Sequence, residues 1–555
     1  FDTAWPTITD LQLDLLFEND AMYLDSKSAT LNGVKAKRIT GRIPELAEGG
    51  HIEIEAKASA PGNEIRDYMM ATPLVDSVGA ALTALQVSGP VYSEFQLNVP
   101  FDTEKDARAW GYADLKNNRV DIDAPPMTLE NATGRIKFDN DVVTTSGLSA
   151  ELLKQPISLD FRGENAEQGY NVTINTLGDW EVNPLKPYLG ERWLSLVSGH
   201  APWQMDIDLQ LNDVGFTYQV DVLAQLSQLT SEYPYPLAKK RGEKGQAKLQ
   251  ASGNQESISA RLQIPNAKYQ TEIDISGDVP QLTATNLVVG NGGFKISPVV
   301  GHDASIRLDD LSLDKWSDLM HVPQSTTQSV LSSMKTPTIP VPTRVSMDVQ
   351  NLELGGIEFH DVNLNARKKN LSWQLDVDSQ EVKGKANYLK PSELSVSLDH
   401  LHLYIPGFDE MTKERGSLFA SEDQAAPLIS NFDRKFHAEM PNLTLSIDDF
   451  WLQGYKVGKV NVDVARANNR LEWKNVNFSS GQNRVDMSGW WELTKERSHS
   501  NLTMKVKGEN NSDLMERFGI TSGIQQAPFE INAKLDWDGA PWSMKTQSLQ
   551  GDVST

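Results

Sequence analysis

His400 and His402 stand two residues apart, a spacing that places both imidazoles on one face of a β-strand and suits a pair of metal ligands. No third ligand is near them in the sequence, so they read as ordinary histidines on a half-exposed strand. Asp206 with Asp208, and Asp376 with Asp378, align carboxylates in the same way. A calcium site needs about six or more oxygens gathered by a turn, so solvated carboxylates are the expectation. Lys239-Lys240-Arg241 has the chemistry to meet a lipid phosphate but reads as a solvated loop. Asn131-Ala132-Thr133 has the form of a glycan acceptor, a weak signal in a chain rich in Asn and Ser. There is no G-x-S-x-G elbow, Walker loop, H-E-x-x-H or strand-linked G-x-G-x-x-G. There is also no cysteine, which removes disulfides, zinc–thiolate sites and cysteine nucleophiles. The residues therefore predict no catalytic group, no metal site and no cofactor.

The elements that carry these side chains are strands. Val345, Met347 and Val349 alternate with Arg344, Ser346 and Asp348, the period-2 pattern of a half-buried strand. Leu443, Leu445 and Ile447 repeat it, then Val460, Val462 and Val464, then Leu471 and Trp473, then Val485, Met487 and Trp491. Gly355-Gly356, Ala467-Asn468-Asn469 and Ser480-Gly481-Gln482-Asn483 read as short turns between antiparallel neighbours. The 52 basic and 75 acidic residues give a net charge of −23, which argues against a nucleic-acid partner. No window approaches the ~18 consecutive apolar residues of a membrane span. The start at Phe1 and the end at Thr555 suggest a piece of something longer.

Ser346 to Trp373 overlays Ser446 to Trp473 without a gap, matching Leu352 with Leu452, Val362 with Val462 and Leu371 with Leu471. Helical spacing is expected at Leu74 to Leu85, Pro184 to Val197, Leu313 to Met320 and Ser512 to Phe518. Ser-Gly pairs follow three of these stretches, which suggests a unit of one short helix plus several strands every 100–110 residues or so. The expected division is 1–88, 89–198, 199–320 (with a Pro/Lys-rich loop at 227–245), 321–406, a polar loop at 407–431, 432–522, and a further repeat from 523 to 555.

The predicted fold is all-β with a few short amphipathic helices. Its core is an elongated, curled antiparallel sheet whose apolar side forms an open hydrophobic groove. By facing direction alone, the groove lining is expected at Val345, Met347, Leu371, Trp373, Leu443, Leu445, Ile447, Val460, Val462, Val464, Leu471, Trp473, Val485 and Met487. Two alternatives remain open on the residues: an envelope structural or assembly factor with a closed β core, and a glycan-binding β-array. In the second, Trp373, Trp473 and Trp490 would stack on sugars, although the first two share the apolar phase.

The run Leu535-Asp536-Trp537-Asp538-Gly539-Ala540-Pro541 with Leu549-Gln550-Gly551 resembles the closing signature of AsmA-like proteins. Gly489-Trp490-Trp491 and Ser231-Glu232-Tyr233-Pro234-Tyr235-Pro236-Leu237-Ala238-Lys239 add to the resemblance. It implies a non-enzymatic bridge for phospholipids between the inner and outer membranes, in contact with both and with envelope partner proteins. It further implies a periplasmic body anchored to the inner membrane by a segment absent from this chain.

Overall fold

Alternating apolar and polar residues fold here into 33 strands among the described residues of a computed structural model, with 69% strand and 7% helix. The structure describes residues 6–72, 85–102, 105–123, 126–212, 214–320, 340–389, 392–404, 429, 431–509, 527–541 and 548–555. The chain is all-β, and its strands form open, curled sheet in each of two units.

The first unit comprises 1–286, 293–300 and 325–340. From His51–Pro61 to Ala267–Asp274, twelve strands pair edge to edge, every one antiparallel to the next. Directly paired residues share a face. One row therefore runs across the sheet through Ala58, Ser93, Ala113, Ile136, Thr145, Phe161, Ile174, Ile207, Val220, Ala251, Ala260 and Thr271. Its three hydroxyls are turned into the backbone: Ser93 donates to the Tyr112 carbonyl (3.1 Å), Thr145 to Arg135 (2.7 Å) and Thr271 to Ala284 (3.1 Å). Satisfied in this way, they do not break the apolar character of the row. Beside it, Tyr170 is buried and donates its hydroxyl to the Asp141 carbonyl at 2.9 Å. A Cβ at Gly163 would sit 2.5 Å from that hydroxyl, so only glycine lets the ring lie flat across the neighbouring strand.

The second unit comprises 287–292, 301–324 and 341–555. Thirteen strands, from His302–Ser312 to Gln550–Ser554, pair in chain order. The turn at Gly355-Gly356 has φ of 63° and 72°, the left-handed conformations of a tight hairpin that glycine adopts without strain.

Two pairings depart from the expected antiparallel order. His302–Ser312 runs parallel to Arg344–Leu354, and Glu393–Leu403 runs parallel to Asn442–Leu452. A parallel neighbour requires the chain to travel back along the strand before re-entering the sheet, which no hairpin can do. The helices Leu313–Met320 and Asn431–Glu439 lie within those two returns.

The first of these helices has the bounds the spacing predicts. The stretch Pro184 to Val197 divides into a 3₁₀ turn at Asn183–Leu185 and two single-turn helices, Lys186–Leu189 and Glu191–Leu194, with Val197 already in a strand. Leu85 is likewise in a strand, Leu85–Ser88, while the remainder of the helix expected there and the one at Ser512 to Phe518 lie outside the described residues. A helix at Gly62–Met70 was not expected: Gly62, Asn63, Arg66 and Asp67 dilute its apolar spacing. Within the 227–245 loop a short strand, Leu229–Ser231, pairs with Val197–Asn212. The polar 407–431 stretch lies outside the described residues except at its end.

Candidate functional site

Cross-strand register in the second unit assembles the alternating apolar residues into three adjacent rows perpendicular to the strands. The middle row passes through Ala304, Val345, Ala366, Leu375, Ala386, Val396, Leu445, Val462, Val476, Met487, Met504, Ala533 and Val553, apolar at all thirteen strands. On one side of it lie Ile306, Met347, Leu364, Val377, Gly384, Leu398, Ile447, Val460, Phe478, Val485, Val506 and Ile531. On the other side the row begins Lys368, Trp373, Tyr388, Leu394, Leu443, Val464 and Trp473. With strands ~4.8 Å apart, twelve spacings make a stripe about 58 Å long.

The register gathers twelve of the fourteen residues expected to line a groove into these three rows. Leu471 lies one row further out, buried against Trp491. Leu371 sits in the turn between the strands Ile357–Lys369 and Ser372–Asp378, 75% exposed, because Asn370 takes the left-handed conformation (φ 56°) and reverses the chain there. The overlay at one hundred positions holds for Val345 with Leu445, Met347 with Ile447 and Trp373 with Trp473. It fails for Val362, which faces Val349, whereas Val462 faces Leu445. The hairpin after Asn442–Leu452 turns two residues sooner than its counterpart, so the returning strand shifts its rows.

Burial separates the rows. Met347, Ile447, Val460, Val464 and Leu471 are buried, whereas Val345, Leu375, Val396, Leu445, Val462, Val476, Met487 and Met504 are only half-buried. Helices cover the stripe locally. Leu313 and Trp316 pack on Leu308, Leu311, Met347 and Val349, and Phe436 and Met440 pack on Val464, Leu471 and Trp491. In the first unit, Ile65 and Tyr68 of Gly62–Met70 cover Ala29, Leu31, Ala58 and Ala60. Two anchors hold the second unit's helices in place. Asp314 accepts from the Gly355 and Gly356 amides (2.8 and 2.9 Å), which hold its carboxyl below the ordinary range. Arg466 donates to the Met440 carbonyl (3.0 Å) and to that of His437, closing the end of Asn431–Glu439.

His437 is buried edge-on against Trp491, with ring centroids 4.9 Å apart. Burial first, and then the Arg466 guanidinium, hold its imidazole below the ordinary 6.5. The unfolded chain therefore takes up a proton before the docked helix does. Stability from this contact is complete above 6.5 and is lost as pH falls below it. Hydrogen exchange of the Asn431–Glu439 amides, corrected for intrinsic rate, should accelerate between about pH 7.5 and 5.5. A His437→Phe variant should abolish that dependence; an unchanged profile would remove His437 as its cause.

The opposite face is wet and charge-paired. Lys385 reaches Asp376 (3.6 Å), Lys383 reaches Asp378 (2.7 Å) and Lys459 reaches Asp448 (2.8 Å). The Lys505 and Lys507 ammoniums, with Asn532, hold the Glu530 carboxyl down to about 2. In the first unit, Asp206 and Asp208 accept from Asn175 (2.7 Å) and Thr173 (3.3 Å). The His400 and His402 rings are 5.1 Å apart, and Asp449, 3.9 Å from His402, is engaged by Lys456 and Trp451. In the first unit's 227–245 loop, Lys239 is folded back onto the Leu229 and Lys240 carbonyls (3.1 and 3.2 Å). Trp490 also lies on this face, with the Arg470 guanidinium 4.2 Å from its ring.

Open, curled sheet of this kind, apolar along one face and ionic along the other, defines a predominantly β-sheet protein. Its whole length, residues 1–555, matches the family model described as YhdP protein, and the chain belongs to that family. It is 25% identical over 558 residues to the intermembrane phospholipid transporter YhdP of Escherichia coli (strain K12). That alignment takes in all of this chain and 42% of the relative, so the chain spans under half the relative's length. Among the described residues, no helix is long and apolar enough to cross a membrane.

Proposed function

We propose that this chain is a bridge-like conduit for phospholipids, carrying their acyl chains along the apolar stripe across the periplasm between the inner and outer membranes. The observation that carries this reading is the middle row, apolar at all thirteen strands from His302–Ser312 to Gln550–Ser554 and half-buried along most of its length. Two apolar faces closed on each other would bury that row completely. The name of the E. coli relative points the same way.

The energetics favour an uninterrupted stripe over a pocket. At ~0.8 kcal/mol per methylene, a sixteen-carbon chain in water costs on the order of 12 kcal/mol. A row of similar aliphatic side chains removes much of that cost at each position and by similar amounts, leaving no deep well to trap the lipid. A bilayer's hydrocarbon core is ~30 Å for two leaflets, so a stripe of about 58 Å holds several chains end to end. No covalent step is needed.

The test is photocrosslinking from a benzophenone amino acid placed in cells. Leu445 and Met504, in the middle row, should capture phospholipid, whereas Asn461 and Thr503 on the ionic face should capture none. Equal yields from the two faces would overturn the proposal.

A further inference from the structure

The two edges of the stripe differ in charge and in chemistry around the strands Arg344–Leu354 to Val382–Leu389. At one end the strand Ile357–Lys369 closes with Arg367, Lys368 and Lys369, all exposed, and none has a carboxylate within ion-pairing distance among the described residues. The other ends of these strands, with the turn that follows Asp378, carry Glu353, Glu358, Asp361, Asp378 and Glu381, of which Asp378 is paired with Lys383 and Glu381 with His360. The chain's other run of three cations without a carboxylate partner, Lys239-Lys240-Arg241, lies in a loop with its first lysine folded onto backbone carbonyls, whereas this one stands at the edge of the stripe. Most other cations of this unit that stand on the ionic face are paired, among them Lys383, Lys459, Arg470 and Arg484.

Register distinguishes the middle cation of the three. Lys368 pairs with Trp373, and Trp373 with Tyr388, so the lysine stands at the head of an apolar-face row. Arg367 pairs with Arg344 and Gln374 and belongs to the ionic face. Along the strand, Ala366 and Leu364 lead from Lys368 into the middle row and the row beyond it. The row at this edge thus opens with lysine, tryptophan and tyrosine, which have apolar bodies and polar tips and favour the boundary between hydrocarbon and water. The two rows below it carry no charge.

We infer that Lys368 is a phosphate-contacting subsite that marks the edge of the stripe where lipid headgroups ride. The ammonium binds the phosphodiester of a glycerophospholipid whose chains lie on the middle row, and Trp373 and Tyr388 seat the glycerol backbone. At the other end Glu353, Glu358 and Asp361, which make no ion pair among the described residues, repel the same phosphate, so the lipid takes one orientation across the strands. This deepens the conduit reading and rests on it.

The test uses the purified chain with three probes: diheptanoyl phosphatidylglycerol, diheptanoylglycerol and inorganic phosphate. Lys368→Gln should weaken phosphatidylglycerol binding about fivefold and flatten its salt dependence, as expected for one lost charge-assisted contact. Binding of diheptanoylglycerol, which lacks the phosphate, should not change, and Lys368→Arg should retain wild-type affinity for both lipids. Phosphatidylglycerol binding unaltered by Lys368→Gln would overturn the subsite. So would inorganic phosphate binding as tightly as the lipid, which would mark a free-anion site. Failure of the underlying reading has a different signature: wild-type chain that binds neither lipid, or lipid binding untouched by Val462→Asp.

Discussion

Val462→Asp should yield a folded chain stripped of phospholipid. Val462 lies in the middle row between Leu445 and Val476 and is half-buried, so in the empty protein a carboxylate there reaches water and folding proceeds. Once acyl chains cover the row, that water is gone, and an unpaired buried carboxylate costs several kcal/mol. That penalty is a large share of the ~12 kcal/mol gained by sheltering a sixteen-carbon chain, and it falls at a point every passing lipid must cross. Native mass spectrometry with lipid extraction should find phospholipid on the wild type and none on the variant. Asn461→Asp, one residue away on the ionic face, should load normally. Wild-type lipid content in Val462→Asp would show that the row is not the path.

Trp491→Ala should have the opposite profile, a loss of stability rather than of lipid affinity. Trp491 is 0% exposed, packed among Leu471, Val464 and Ala540, with its indole N–H donating to Ser498 Oγ at 2.9 Å. Removing it leaves a cavity and an unpartnered buried hydroxyl, together about 3–5 kcal/mol. Phe436 and His437 lose their platform at the same time, so the helix Asn431–Glu439 should undock. Urea denaturation of the full chain should register the loss in the transition reporting the second unit, and exchange at 431–440 should rise. A destabilisation below about 1 kcal/mol would mean that the site collapses around the missing ring and that the helix is held by Arg466 alone.

How much of this was legible in the sequence depends on what each feature requires. Period-2 alternation is local, so Val345, Leu445 and Val462 could be assigned a facing direction from neighbours alone. Their alignment into one row is not local. It depends on turn lengths and on bulges such as those near Gly384 and between Ile447 and Phe450, whose effect emerges only when strands pair. Leu371 illustrates the limit: two residues before Trp373 it is in phase, yet Asn370 turns the chain and removes it from the strand. The parallel joints were hidden for a related reason. Each depends on the path taken between strands, and alternation carries no information about path. Lys368 was overlooked because one lysine among three cations has no signature until its partner is known to be Trp373.

Those parallel joints also bear on how such a protein can change in length. Five strands, Arg344–Leu354 to Glu393–Leu403, lie between the two joints, and the first and last of them point the same way. An odd block closed by hairpins would leave the next strand reversed, exchanging the two edges of everything downstream. A parallel joint cancels that reversal. The block is therefore a cassette that gene duplication or deletion can add or remove whole, in steps of about 24 Å, without inverting the polarity of the remaining sheet.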